Sequence, residues 1–165
     1  MGYDRTPLTE QVSKVKFPQN LKGVVPSPDE IREKLRNGQD PVEVSIYKWE
    51  KIIHAIEVRS KKDTLTYNAF ITQWRSFCGY ETCALCLDSI SRLHKTKANI
   101  SSKTEKCSVC SLAKIDRCID EDSTFKQIEN HFQTPFNRDN KDKFTEVLLL
   151  LLNKMVQNLA SLKGR

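Results

Sequence analysis

Six cysteines stand in the middle of this 165-residue chain: Cys78, Cys83, Cys86, Cys107, Cys110 and Cys118. Four of them form two pairs, Cys83-Ala-Leu-Cys86 and Cys107-Ser-Val-Cys110, with 20 residues between the pairs. Two thiolates held two residues apart by a tight turn can bite one ion. Two such turns brought together offer four sulfurs in a tetrahedron, the arrangement zinc prefers. The spacing therefore predicts one structural Zn2+ site with Cys83, Cys86, Cys107 and Cys110 as ligands. Cys118, Cys78 and His94 are the residues that would stand in for one of the four. Cys118 is the strongest rival, because a turn through Leu112 to Arg117 can carry it back to the ion. A redox-active pair would follow a strand and open a helix in an α/β context, and no strand pattern precedes Cys83. An iron–sulfur cluster also accepts four thiolates, but the clustered C-x2-C-x2-C run is missing.

Catalytic patterns are sparse. The histidines, His54, His94 and His131, form no motif. A zinc-stapled HNH-like nuclease needs paired histidines near an asparagine or aspartate. His131 with Asn137 and Asp139 is the candidate stretch, and the preceding histidine is missing. Four thiolates leave a zinc ion no open position for water, which argues against a zinc hydrolase. Asp120, Glu121 and Asp122 read as a solvated acidic turn rather than a magnesium site. Phosphate-binding glycine loops, nucleophile elbows and dinucleotide fingerprints do not occur. The expectation is a non-enzymatic protein.

Composition bounds the rest. Lys and Arg number 27 against 21 Asp and Glu, a net charge of +6, and 38% of residues are hydrophobic. These values fit a soluble globular chain with a real core. The cysteine-bearing third is basic and an acidic stretch follows it. Between the knuckles, Lys95, Lys97, Lys103 and Lys106, opposed by Glu105, form a basic loop that would suit phosphate contact if it is more than a solvated loop. With no run of about 18 apolar residues, no membrane span is expected. No secretory leader is visible, so the expected compartment is the cytoplasm, where cysteines serve metals or stay reduced. Met1-Gly2-Tyr3-Asp4-Arg5-Thr6 fits the loose myristoylation pattern and Asn99-Ile100-Ser101 the glycosylation acceptor; both are short enough to be chance.

The elements that must position the cysteines read as helices. Only 5 Gly and 6 Pro occur, too few for a many-stranded sandwich or barrel. Residues 1–26 carry Pro7, Pro18 and Pro26 and read as an extended arm, with Val12, Val15, Phe17, Leu21 and Val24 able to dock. Ser27-Pro28-Asp29-Glu30 and Asp40-Pro41-Val42-Glu43 both show a cap, proline at the first helical position and an acid three after the cap. The first helix should end at Asn37-Gly38. The second should run to about Arg59, burying Val44, Tyr47, Ile52 and Ile56. A third stripe, Tyr67, Phe70, Ile71, Trp74 and Phe77, follows Asp63 or Thr64 with helical spacing. Leu87, Ile90 and Leu93 suggest a helical turn or two leaving the first knuckle. Ser123 to Phe132 reads as a short helix, Thr134 to Asn140 as a loop, and Lys141 to Leu162 as a long helix. Its leucines are numerous enough to require cover, from the domain or from a second copy.

Ser45-Ile46-Tyr47-Lys48-Trp49-Glu50, the Cys83–Cys86 knuckle, Cys107-Ser-Val-Cys110-Ser-Leu, and Cys118 ahead of Ser123-Thr124-Phe125 resemble a group of small phage and prophage proteins. Those have a K-W-E segment, a C-A-L-C knuckle, a C-x2-C-P knuckle and a further cysteine. The likeness covers roughly residues 41–132. Ser111 departs from the usual proline, and the insert between the knuckles is longer. The resemblance implies zinc binding and a viral or mobile-element origin, without a settled activity. Together these readings predict a mainly α-helical single domain over 27–140 with an embedded four-cysteine zinc-knuckle module. The arm 1–26 precedes it, and the leucine-rich helix 141–165 packs on it or mediates a homodimer. The expected partner is a host or viral protein, with nucleic acid as the alternative.

Overall fold

The computed structural model describes residues 16–96 and 107–163. It is mainly helical, and the described residues include no strand. Six α-helices are described: α1 Pro28–Arg36, α2 Pro41–Arg59, α3 Thr64–Ile71, α4 Ala84–Thr96, α5 Thr124–Phe132 and α6 Lys141–Ala160. Helix α2 is the hub, packing on α6, α4, α1 and α3, while α5 lies on α6.

The two proline-led helix starts form as the sequence predicts. Ser27 Oγ accepts the Glu30 amide at 3.2 Å. Asp40 Oδ1 accepts the amides of Val42 and Glu43 at 2.8 and 3.1 Å. Each cap satisfies amides that the first turn leaves without a helical partner. Beyond α1, Gly38 takes a φ of +81°, and the Gly38 and Gln39 amides bond the carbonyls of Leu35 and Lys34 at 3.1 Å each. A side chain there would be strained. Asp63, rather than Thr64, caps α3 through the Thr66 amide at 2.9 Å.

Several expectations change. The aromatic stripe from Tyr67 to Phe77 is not one helix: α3 stops at Ile71, and a 3-10 turn, Trp74–Ser76, follows. There the amides of Ser76 and Phe77 bond the carbonyls of Gln73 and Trp74. All five stripe residues are nonetheless buried, because the tighter turn keeps Trp74 and Phe77 facing inward. Trp74 stacks on Phe132 at 5.7 Å and Phe70 on Phe77 at 5.4 Å. In α2, Tyr47 is only half-buried, since its hydroxyl donates outward to Glu30 Oε1 at 2.7 Å. The knuckle helix is also longer than a turn or two, at 13 residues.

The C-terminal helix finds its cover inside the chain. Phe144, Leu148, Leu152, Met155 and Leu159 are buried in the core they share with α2 and α5, whereas Leu150 is 71% exposed. Tyr67 and Thr145 meet through their hydroxyls at 2.9 Å inside the core. Thr145 Oγ1 donates to the Lys141 carbonyl, so Tyr67 is the donor to Thr145. At the other end of the chain Leu21 is buried, with Phe17 and Val24 packed beside it, and Gln19–Leu21 forms a 3-10 turn rather than an extended arm. Val12 and Val15 lie outside the described residues, as do Met1 to Thr6 and the Asn99-Ile100-Ser101 acceptor. No helix among the described residues is long and apolar enough to cross a membrane.

Candidate metal centre

A helical turn begins right after the first cysteine of one knuckle and the last cysteine of the other. Cys83 immediately precedes α4; its carbonyl accepts the Leu87 amide at 3.0 Å, and its Sγ accepts the Cys86 amide at 3.4 Å. It thus caps the helix with sulfur in the place usually taken by a side-chain oxygen. Cys110 immediately precedes the 3-10 turn Ser111–Lys114. The Cys110 amide bonds the Cys107 carbonyl at 3.2 Å, closing the second knuckle, and the Ala113 amide bonds the Cys110 carbonyl at 3.2 Å, with no amide capped by the Cys110 sulfur. At Cys83, an amide aimed at sulfur favours thiolate over thiol.

The loop after the second knuckle returns Cys118 to the same place. Asp116 pins it, accepting the Thr124 amide at 3.0 Å through Oδ1 and the Asn158 side-chain amide at 2.7 Å through Oδ2. Ser123 Oγ donates to the Cys118 carbonyl at 3.2 Å. The thiols then feel one another. The Cys86 thiol is pushed up by the adjoining Cys83 sulfur, by burial, and by the charges of Cys83, Cys118 and Cys110. Cys118 is pushed up by burial and by Cys83, Cys110, Asp116 and Cys107. Burial and then Cys83 raise Cys110. Cys83 moves the other way. The adjoining Cys86 thiol, the Lys48 ammonium and the amides of Cys86 and Leu85 hold it below the ordinary thiol value despite burial.

The four predicted cysteines and their rival Cys118 thus stand near enough for their charges to act on one another, and Cys83 is the one whose pKa is lowered. Among the described residues, no three His, Cys, Asp or Glu side chains stand at mutual spacing that would hold an ion. The thiols are neighbours, not a finished coordination sphere. The donor set suits zinc all the same: buried and half-buried sulfurs, an amide donor on Cys83, and a neighbouring carboxylate, Asp116, whose two oxygens are engaged elsewhere. Cys78 is separate. It belongs to the aromatic core, and burial pushes its thiol up to about 12. His94 lies in the last turn of α4.

Residue type alone does not point to Lys48. It is 1% exposed, and its Nζ sits 4.6 Å from the Trp49 ring centroid. Its ammonium charge bears on both Cys83 and Cys78. The signal is in the spacing: Val44, Lys48, Ile52 and Ile56 repeat every four residues along α2, and all four are buried.

The stretch that could have served a nuclease is engaged structurally. His131 Nε2 bonds the Phe144 carbonyl at 2.8 Å, and the ring stacks on Phe144 at 4.6 Å. Asn137 accepts the amides of Asp139 and Asn140 in a turn leading into α6. In the acidic turn, Asp120 pairs with Arg117 at 2.8 Å. The two residues help line a polar cavity of about 360 Å³ with Asp116, Lys154 and Asn158. Of the basic loop, Lys95 is exposed near the end of α4, while Lys97, Lys103 and Lys106 lie outside the described residues. Comparison of the chain with protein-family models, with curated proteins and with solved structures finds no match.

Proposed function

We propose that this is a non-catalytic, zinc-braced helical protein, of viral or mobile-element type, whose task is to bind another protein. The observation that carries the zinc reading is the gathering of five thiols from two knuckles and a return loop. One of them, Cys83, stands at a helix start, where its sulfur accepts the Cys86 amide and its pKa is lowered. Cys83, Cys86 and Cys110 supply three ligands, and Cys107 the fourth, in keeping with the paired spacing; Cys118 is the alternative fourth, favoured by the effect of its charge on Cys86. A structural ion would close the sphere and tie α4 to the segment Cys107 to Cys118. The engagement of His131, Asn137 and Asp139 in packing and turns supports a binding role over a nuclease. So does the exposure of single apolar side chains, Leu65 at 81% and Leu150 at 71%, on an otherwise well-filled body.

Metal content and partner class are separable by experiment. Cys107→Ala and Cys118→Ala, each assayed for zinc, identify the fourth ligand by which substitution loses the metal. Capture of a protein partner that persists as salt rises supports the protein-binding reading. Retention on DNA or heparin that collapses between about 50 and 200 mM salt would replace it with nucleic-acid binding. Magnesium-dependent plasmid nicking abolished by His131→Ala would overturn the non-catalytic reading.

A further inference from the structure

Lys48 poses a problem that the zinc reading alone does not address. A lysine buried to 1% exposure loses most of the hydration of its ammonium, and such burial is tolerated when an anion is close. Among the described residues no carboxylate lies within 4.0 Å of its Nζ, the distance that defines an ion pair. Glu129 on α5 bears on Cys78, yet stands outside that distance from Lys48. The Trp49 ring offers a cation–π contact at 4.6 Å, a weaker partner than a full negative charge.

The packing points to the missing anion. Helix α2 lies on α4. One turn before Lys48, Val44 packs in a small apolar cluster with Ala84 and Ile31. Ala84 is the residue next to Cys83. The contact therefore lays the Lys48 turn of α2 alongside the start of α4, where the first knuckle is made. Four thiolates around one Zn2+ leave the centre with two negative charges. A centre of that charge, buried against apolar helices, is costly unless a cation shares its environment.

We propose that Lys48 is the internal counter-cation of the thiolate centre, a positioning residue that offsets its negative charge and raises its hold on zinc. This rests on the zinc reading and specifies what that centre requires from the helix behind it. The ammonium and the tetrathiolate are each unfavourable inside the protein alone, and each relieves the other. Lysine would then be retained at a position where the period of α2 calls for an apolar residue.

The test uses the full chain carrying Lys48→Met, close in length and neutral, and Lys48→Gln, neutral but polar. Zinc affinity is measured by competition with a chromophoric chelator at fixed pH, and melting is followed with zinc and after chelation. Both variants should bind zinc roughly 10- to 100-fold more weakly than the natural chain, the range for losing an outer partner of a metal site. The chelated forms should show the opposite sign for Lys48→Met, melting no lower than the natural chain. Without zinc the double negative charge of the four-thiolate centre is gone, and the buried ammonium has less to offset. Equal zinc affinity in the natural chain and both variants would overturn the proposal and leave the zinc reading standing. An equal loss of stability with and without zinc would make Lys48 a packing residue and overturn it too. A natural chain that takes up no zinc would sink the zinc reading itself, and this inference with it.

Discussion

Two ends of the same helix live under different rules. The C-terminal half of α2 belongs to a core of rings and leucines drawn from α3, α5 and α6. There Trp74 lies on Phe132, Phe136 on Phe144 at 4.4 Å, and Tyr67 reaches Thr145 across 78 residues of chain. Part of the N-terminal half faces the first knuckle, where Val44 packs with Ile31 and Ala84 in a smaller apolar cluster, while Ile46 and Trp49 stay with the main core. Polar and ionisable groups also lie there: Lys48, Ser45 and Ser89 are buried, and Cys83 and Cys86 are half-buried. The first region is held by area removed from water, which many residues share. In the second, a few polar groups bear on one another, and its order depends on their charges being balanced. On the zinc reading, the contrast gives a reason for a metal at one corner of a small helical chain.

The contrast can be broken in order of expected effect. Cys83→Ser removes the thiol whose charge bears on Cys86, Cys110 and Cys118. On the proposed reading it forfeits most of a zinc contribution on the order of 10 kcal/mol, the apparent binding free energy of small zinc peptides. The damage should stay local. Hydrogen exchange should accelerate in α4 and in Ser111–Lys114, while the middle of α6 stays protected; uniform loss of protection would show that the two regions are one cooperative unit. Phe132→Ala should do the reverse. It opens a cavity under Trp74 and Phe77 at a cost of about 3–5 kcal/mol, read as a lower urea midpoint with zinc content unchanged.

Tyr47 sharpens the comparison through pH. Its bond to Glu30 and partial burial raise its pKa from 10.0 to about 12. The folded chain therefore holds this proton more tightly than the unfolded one. The contribution is fully present below pH 10.0 and is lost as pH rises through about 12. A melting temperature followed across that window should fall less steeply in Tyr47→Phe than in the natural chain, whose curve also includes Tyr67, raised by burial. Identical slopes would mean the Tyr47–Glu30 bond is not populated in solution. Leu150→Ala should change stability by no more than about 0.5 kcal/mol, as for other exposed positions. A larger loss that depends on protein concentration would reveal a second copy seated on α6.

How much of this was legible in the sequence differs along the chain for physical reasons. Helix starts carried by Ser27-Pro28 and Asp40-Pro41 are local signals, because a cap and a fixed φ act within about four residues. The α6 leucines announced a buried face by period alone, though not which helices would cover it. The stop at Ile71 was hidden, since Tyr67 to Phe77 keep helical spacing while the backbone tightens to a 3-10 turn that buries the same side chains. The paired cysteines were visible by spacing. The return of Cys118 depends on Asp116 reaching Thr124 and Asn158, contacts with later parts of the chain. Lys48 stayed hidden because a lysine in an apolar stripe reads as an interruption, when here it is the stripe's most informative member.

Native mass spectrometry of the full chain, purified without added metal and then titrated with zinc and with cobalt, tests the central claim most directly. The account predicts one zinc ion per chain. It also predicts a cobalt form with intense thiolate-to-metal charge transfer and the strong visible bands of a tetrahedral site, both lost in Cys83→Ser. A chain that binds neither ion stoichiometrically, and whose melting is unchanged by chelator, would contradict it.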